Sequence, residues 1–141
     1  MKTAATTALM LVLSIGCGEA HETDDGGAET ALVGLACLPE SMPIGGFNGL
    51  EVYLETSSAS CETRACMVYR LDGDPRMLDC DGPRCVSSAE AEARVFCTCR
   101  CAADDPASPL CACPSGFECV DDVITTAGAG VNGGYCVREG L

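Results

Sequence analysis

V-F-C-T-C-R-C (Val95–Cys101), L-C-A-C-P-S-G-F-E-C (Leu110–Cys119) and Y-C (Tyr135–Cys136) place Cys97, Cys99, Cys101, Cys111, Cys113, Cys119 and Cys136 within forty-two residues. Ala93 to Ala103 has the period of an extended strand. Val95, Cys97, Cys99 and Cys101 then share one face, while Arg94, Phe96, Thr98 and Arg100 take the other. Cysteines two apart on one strand point the same way at a separation beyond the usual bridging range. Each must therefore reach to another segment, and so must Cys111 and Cys113.

Upstream lie five more cysteines, Cys37, Cys61, Cys66, Cys80 and Cys85. Five and seven are both odd, so full oxidation requires at least one bridge between the two halves. Twelve cysteines allow about ten thousand connectivities, and spacing selects none of them. Each bridge typically adds ~2–4 kcal/mol, chiefly by restricting the unfolded chain. The need for them is visible in the composition. There is no Trp, and Phe47, Tyr53, Tyr69, Phe96, Phe117 and Tyr135 are the only aromatics among 141 residues. A core this poor in large side chains requires covalent support.

The remaining cysteine, Cys17, ends a different pattern. Met1-Lys2 is a minimal basic start, and Ala4–Ile15 is an uncharged, mostly apolar run of twelve residues. That is too short to span a bilayer and suits the apolar region of a signal peptide. Leu13-Ser14-Ile15-Gly16-Cys17 resembles the lipobox of bacterial lipoproteins, with Ser14 where a Leu is usual. The resemblance implies loss of residues 1–16, lipidation of Cys17 with palmitate-type chains, and a membrane anchor. Gly18, rather than Asp, implies outer-membrane retention within a bacterial cell envelope. The competing reading is ordinary cleavage near Gly18-Glu19-Ala20, giving a secreted or periplasmic protein. Both routes end in an oxidising compartment, where disulfides persist.

Residues 17–31 are acidic, polar and glycine-bearing, with no apolar periodicity. They read as the anchor and a flexible tether with a reach of ~20 Å. His21, the only histidine, falls here, where nothing would hold the ring for ligation or catalysis.

Residues 32–139 are expected to form one small disulfide-rich, mainly β domain of short strands and hairpins with little or no helix (subregions 32–86 and 87–139). Leu50–Thr56 reads as a strand with Leu50, Val52 and Leu54 on one face and Glu51 and Glu55 on the other. Ala65–Leu71 is a second, and the two suit a long-looped hairpin. Ser87 with Glu90 has the form of a capping box. The following Ala/Glu run predicts one helical turn at most, because it carries no apolar stripe. Pro114–Phe117 reads as a turn, Val120–Thr126 as a strand, and Asn132-Gly133 as a hairpin signal returning into Tyr135–Arg138.

Loss of Lys2, the only lysine, would leave seven cations against 21 acids, a formal −14. Such a surface repels nucleic acid and anionic headgroups. Metal is the sharper alternative. The C-x4-C pairs Cys61/Cys66 and Cys80/Cys85, or the C-x-C-x-C run, are conceivable zinc ligands. Export, the absence of C-x2-C and the absence of histidine in the folded region oppose that reading. The missing C-x2-C also removes a thioredoxin-type motif. Asp72/Asp74, Asp79/Asp81, Asp104/Asp105 and Asp121/Asp122 offer oxygen pairs beside turns for calcium, without EF-hand spacing. No cofactor is implied, and no arrangement of a general base and nucleophile is legible, so an enzyme is not expected.

C-A-C-P-S-G-F-E-C, through Cys111, Cys113, Gly116, Phe117 and Cys119, resembles the second half of an EGF-like module. Five residues separate Cys113 from Cys119, fewer than that family's last loop usually has. Shared turn chemistry over nine residues accounts for the likeness. Taken together, the sequence points to a structural or protein-binding role at the cell surface. An extracytoplasmic metal-binding protein is the alternative, and a small secreted enzyme or inhibitor a more remote one.

Overall fold

A computed structural model of the chain describes residues 32–105 and 107–141. The proposed signal peptide, Cys17, the tether and His21 lie outside the described residues. Among the described residues there are six strands and one helix: β1 (Val52–Glu55), β2 (Ala65–Tyr69), α1 (Ser88–Arg94), β3 (Val95–Thr98), β4 (Arg100–Ala102), β5 (Phe117–Ile124) and β6 (Gly133–Arg138). They form two three-stranded antiparallel sheets, ordered β1-β2-β3 and β4-β6-β5. The protein is thus a small, disulfide-rich, predominantly β domain with minimal helix. No described helix is long and apolar enough to cross a membrane.

The first sheet is a middle layer. Every residue of β2 is buried, which explains why A-C-M-V-Y shows no polar alternation. Cys66 and Val68, with Val95 and Cys97 of β3, face a cluster closed by Phe47, Cys61, Leu71 and Val86. Met67, Tyr69 and Phe96 face the opposite way and meet Tyr135 and Val137 of β6. The registers Cys66↔Cys97 and Met67↔Phe96 keep both faces in step. Phe96 is fully buried and meets Phe117 edge-on at 5.5 Å, joining the two sheets through their largest side chains.

Several expectations need correction. The strand expected over Ala93–Ala103 is two strands in different sheets. Ala93 and Arg94 belong to α1, and the chain turns a corner at Cys99. Thr98 Oγ1 donates to the Cys136 carbonyl at 2.6 Å, and the Cys99 carbonyl accepts from Cys136 N at 3.1 Å. These two bonds fix the corner at which the strand changes sheets.

The first strand begins at Val52, and Leu50 is 88% exposed. Asn48 turns the chain there, its Oδ1 accepting from Leu50 N and its carbonyl from Glu51 N. Leu50 therefore sits in a turn, where period-2 alternation does not apply.

The helix is seven residues long rather than one turn. Ser87 Oγ caps Glu90 N at 3.1 Å, and Glu90 pairs with Arg94 at 3.7 Å rather than reaching back toward the cap. Ala91 also packs on the first cluster, so a single small residue supplies the contact that an apolar stripe would have made.

Strand β5 starts at Phe117, directly after the Pro114–Phe117 turn, and ends at Ile124. Asn132-Gly133 is not the hairpin turn. The reversal is made by Gly128, whose carbonyl accepts from Val131 N and Asn132 N. Gly133 lies inside β6 at φ +140°, where a Cβ would run into the Ala102 carbonyl.

Candidate functional site

All twelve cysteines of the described residues are bridged: Cys37–Cys66, Cys61–Cys97, Cys80–Cys85, Cys99–Cys111, Cys101–Cys119 and Cys113–Cys136. Cys61–Cys97 crosses between the halves. Of the two C-x4-C pairs, Cys80–Cys85 closes on itself while Cys61 and Cys66 part to different partners.

The sulfurs gather in two places. Those of Cys37, Cys61 and Cys66 lie within 4.8 Å of one another against the first sheet. In the second sheet the same holds for Cys99, Cys111 and Cys136, and for Cys101, Cys113 and Cys136. A disulfide sulfur is not a thiolate, and zinc is held by thiolate. In this oxidised state the cysteines are staples, and a zinc site would require those bridges to open.

The aspartates are put to different uses by the fold. Asp74 is buried, accepting from Arg76 Nε at 2.9 Å, a second guanidinium N–H at 2.7 Å and Arg76 N at 3.0 Å. The Arg76 hydrogen bonds pull its carboxyl down to about 2 against the opposing effect of burial. Asp79 accepts from both the backbone N–H and the hydroxyl of Ser88, and those bonds lower its pKa. Asp105 Oδ1 accepts from Ala107 N at 2.9 Å. Asp104, Asp121 and Asp122 are exposed around a shallow hollow of about 320 Å³ beside Gly133 and Gly134. Their oxygens do not converge: among the described residues, the groups of three metal-ligating side chains within 4.8 Å consist of cysteines alone.

Three features escaped the sequence reading. Arg138 lies over the rings of Phe96 and Phe117, at 5.4 and 5.0 Å, and donates to the Gly34 carbonyl at 3.0 Å. The register of β5 with β6 sets it opposite Phe117, and neither that partner nor Gly34 could be found before folding. The turn at Pro43–Gly46 (Gly46 N to the Pro43 carbonyl, 3.1 Å) presents Ile44 wholly to solvent. The base of this loop is fixed, because Phe47 and Gly73 exchange backbone bonds at 2.7 and 3.0 Å and the buried Phe47 ring stacks on Tyr53 at 5.3 Å. Nearby in sequence, Leu38 joins Leu78, Ala91 and Val95 around an apolar hollow of about 300 Å³, with Leu38 and Leu78 nearly half exposed.

A third hollow, about 250 Å³, opens where the halves meet. It is lined by Thr56, Thr63, Arg100, Leu110, Tyr135 and the Cys99–Cys111 bridge. Arg100 is its sole cation, held by a 2.9 Å bond to the Gly130 carbonyl. The half-buried Cys99–Cys111 bridge and Arg100 thus line one hollow. No protein-family model, curated protein or solved structure matches the chain.

Proposed function

We propose that this protein is a bacterial cell-envelope lipoprotein that acts by binding another protein. Cys17 carries the lipid, residues 17–31 form the tether, and the stapled domain displays the contact surface. The lipobox-like Leu13–Cys17 supports the anchor, and an outer-membrane location follows from Gly18. The observation that carries the binding reading is Ile44, fully exposed on a turn whose base is clamped by Phe47 and Gly73. Soluble domains expose isolated apolar side chains freely. A fully exposed isoleucine on a rigid, glycine-flanked turn is instead pre-organised to enter a partner's pocket at small entropic cost. The role is structural recognition, without turnover.

Two measurements test the two parts. Metabolic fatty-acid labelling is expected in the wild-type chain and lost in Cys17→Ala; equal labelling of both removes the anchor. A photo-crosslinking residue at position 44, introduced in intact cells, is expected to yield one dominant adduct that the same residue at position 107 does not. Identical adduct patterns at the two positions would remove the Ile44 surface.

A further inference from the structure

The bridges of the second sheet form a connected set rather than three separate staples. Cys136 Sγ is bonded to Cys113, yet stands 3.8 Å from both Cys99 Sγ and Cys111 Sγ. Cys136 also belongs to the trio with Cys101 and Cys113, all within 4.8 Å. It thus links all three bridges. Cys119, the partner of Cys101, is exposed. From this geometry we propose that the six cysteines from Cys99 to Cys136 form a thiol–disulfide exchange relay, entered at Cys119 by a small thiol.

The steps conserve atoms and electrons. A thiolate attacks Cys119 Sγ, forming a mixed disulfide, and the Cys101–Cys119 bond breaks with its electron pair on Cys101. The Cys101 thiolate attacks Cys113 Sγ, forming Cys101–Cys113 and releasing Cys136 as thiolate. Cys136 attacks Cys99 Sγ, forming Cys99–Cys136 and releasing Cys111, which takes a proton from solvent. Every bond broken is replaced by one formed, so no oxidant is needed. Cys111, where the free thiol ends, lines the same hollow as Arg100. The consequence is capture of an extracytoplasmic thiol at Cys119, one per chain, with a free thiol displaced to Cys111.

The other sulfur groups serve as controls. Cys37, Cys61 and Cys66 also lie within 4.8 Å of one another, but Cys61, Cys66 and Cys97 are at most 2% exposed and Cys37 is half-buried, so this group has no exposed cysteine corresponding to Cys119. Cys80–Cys85 is accessible through the exposed Cys80, but neither residue belongs to any such sulfur group. It should open without migrating.

The experiment treats the oxidised protein briefly with reduced glutathione, followed by acid quenching, alkylation and disulfide mapping by mass spectrometry. The expected result is glutathione on Cys119, alkylation shifted from Cys101 to Cys111, and the new bridges Cys101–Cys113 and Cys99–Cys136. A Cys119 adduct with alkylation confined to Cys101 and native bridges elsewhere would overturn the relay. So would reaction at Cys80–Cys85 alone. A Cys113→Ser/Cys136→Ser variant is expected to hold the free thiol at Cys101 and leave Cys99–Cys111 intact. If it does not fold, the wild-type map alone decides.

Discussion

The two sheets are built from the same short chain but are stabilised differently. In the first, β2 is buried on both faces and Met67, Val68, Val95 and Phe96 supply apolar contact in two directions. In the second, β5 has no fully buried residue, and β6 alone contributes buried side chains, Tyr135, Cys136 and Val137. Three of the six bridges cluster there. In the first sheet Cys61, Cys66 and Cys97 are buried among larger apolar side chains and share the core with them; in the second, where few large side chains accompany the sulfurs, the bridges take the core's place. The same shortage explains the close stacking of bridges on Cys136, since sulfurs fill the space that large side chains would otherwise occupy.

Four variants probe this division. The largest effect is expected from Phe96→Ala, which empties the contact between the sheets. A loss of about 3–5 kcal/mol is expected by denaturant titration with the bridges intact. A loss below about 1 kcal/mol would mean that the sulfurs alone unite the sheets.

Next comes removal of bridges as Ala pairs. By loop length, Cys113–Cys136, spanning 23 residues, and Cys37–Cys66, spanning 29, should each cost about 3–4 kcal/mol. The division predicts a difference in where the loss falls. Without Cys113–Cys136, hydrogen-exchange protection of β5 and β6 should collapse while β2 stays protected. Without Cys37–Cys66, β2 should still be the slowest-exchanging strand. Uniform loss of protection in both variants would erase the distinction.

The smallest effect concerns Asp74 in the loop beside the first cluster. Its folded pKa, about 2, lies below its ordinary value near 3.8. Its contribution is therefore fully present above about pH 4 and is lost as the pH falls toward 2. Arg76 is half exposed, and screening limits the contribution to about 1 kcal/mol or less. Asp74→Asn should flatten the acid limb of the wild-type stability curve over that range. An unchanged limb would assign the acid sensitivity to other carboxylates.

Much of the local structure was legible because its causes are local. Ala65–Tyr69 and Tyr135–Arg138 carry β-branched, aromatic and sulfur side chains in strand-length runs. Pro114–Phe117 has turn chemistry, and Ser87 has a cap's position. The failures share a different cause. Leu50 looks like a core residue until Asn48 bonds across the turn. The helix gains its second turn from Ala91 meeting a sheet formed by distant residues. Nothing within Ala93–Ala103 marks Cys99 as a corner, because the bonds that bend the chain there come from Cys136. The acidic pairs likewise looked equivalent, and only folding gave Asp74 to Arg76 and Asp79 to Ser88.

The cysteines at Val95–Cys136 divide the same way. Parity, a property of the sequence alone, requires a crossing bridge once all twelve pair, whereas no single strand period runs through these cysteines: Cys97 and Cys101 lie in different strands, and Cys111 and Cys113 in none. Which cysteines cross is a tertiary matter. The antiparallel pairing of β2 with β3 carries Cys97 to the first sheet, where Cys61 waits at the entrance to β2, while the corner at Cys99 turns the next two cysteines toward the second. Counting is independent of geometry, so the sequence settles it; proximity depends on strand pairings between segments far apart in the chain, such as Cys66↔Cys97 and Cys119↔Cys136, so only the folded chain decides it.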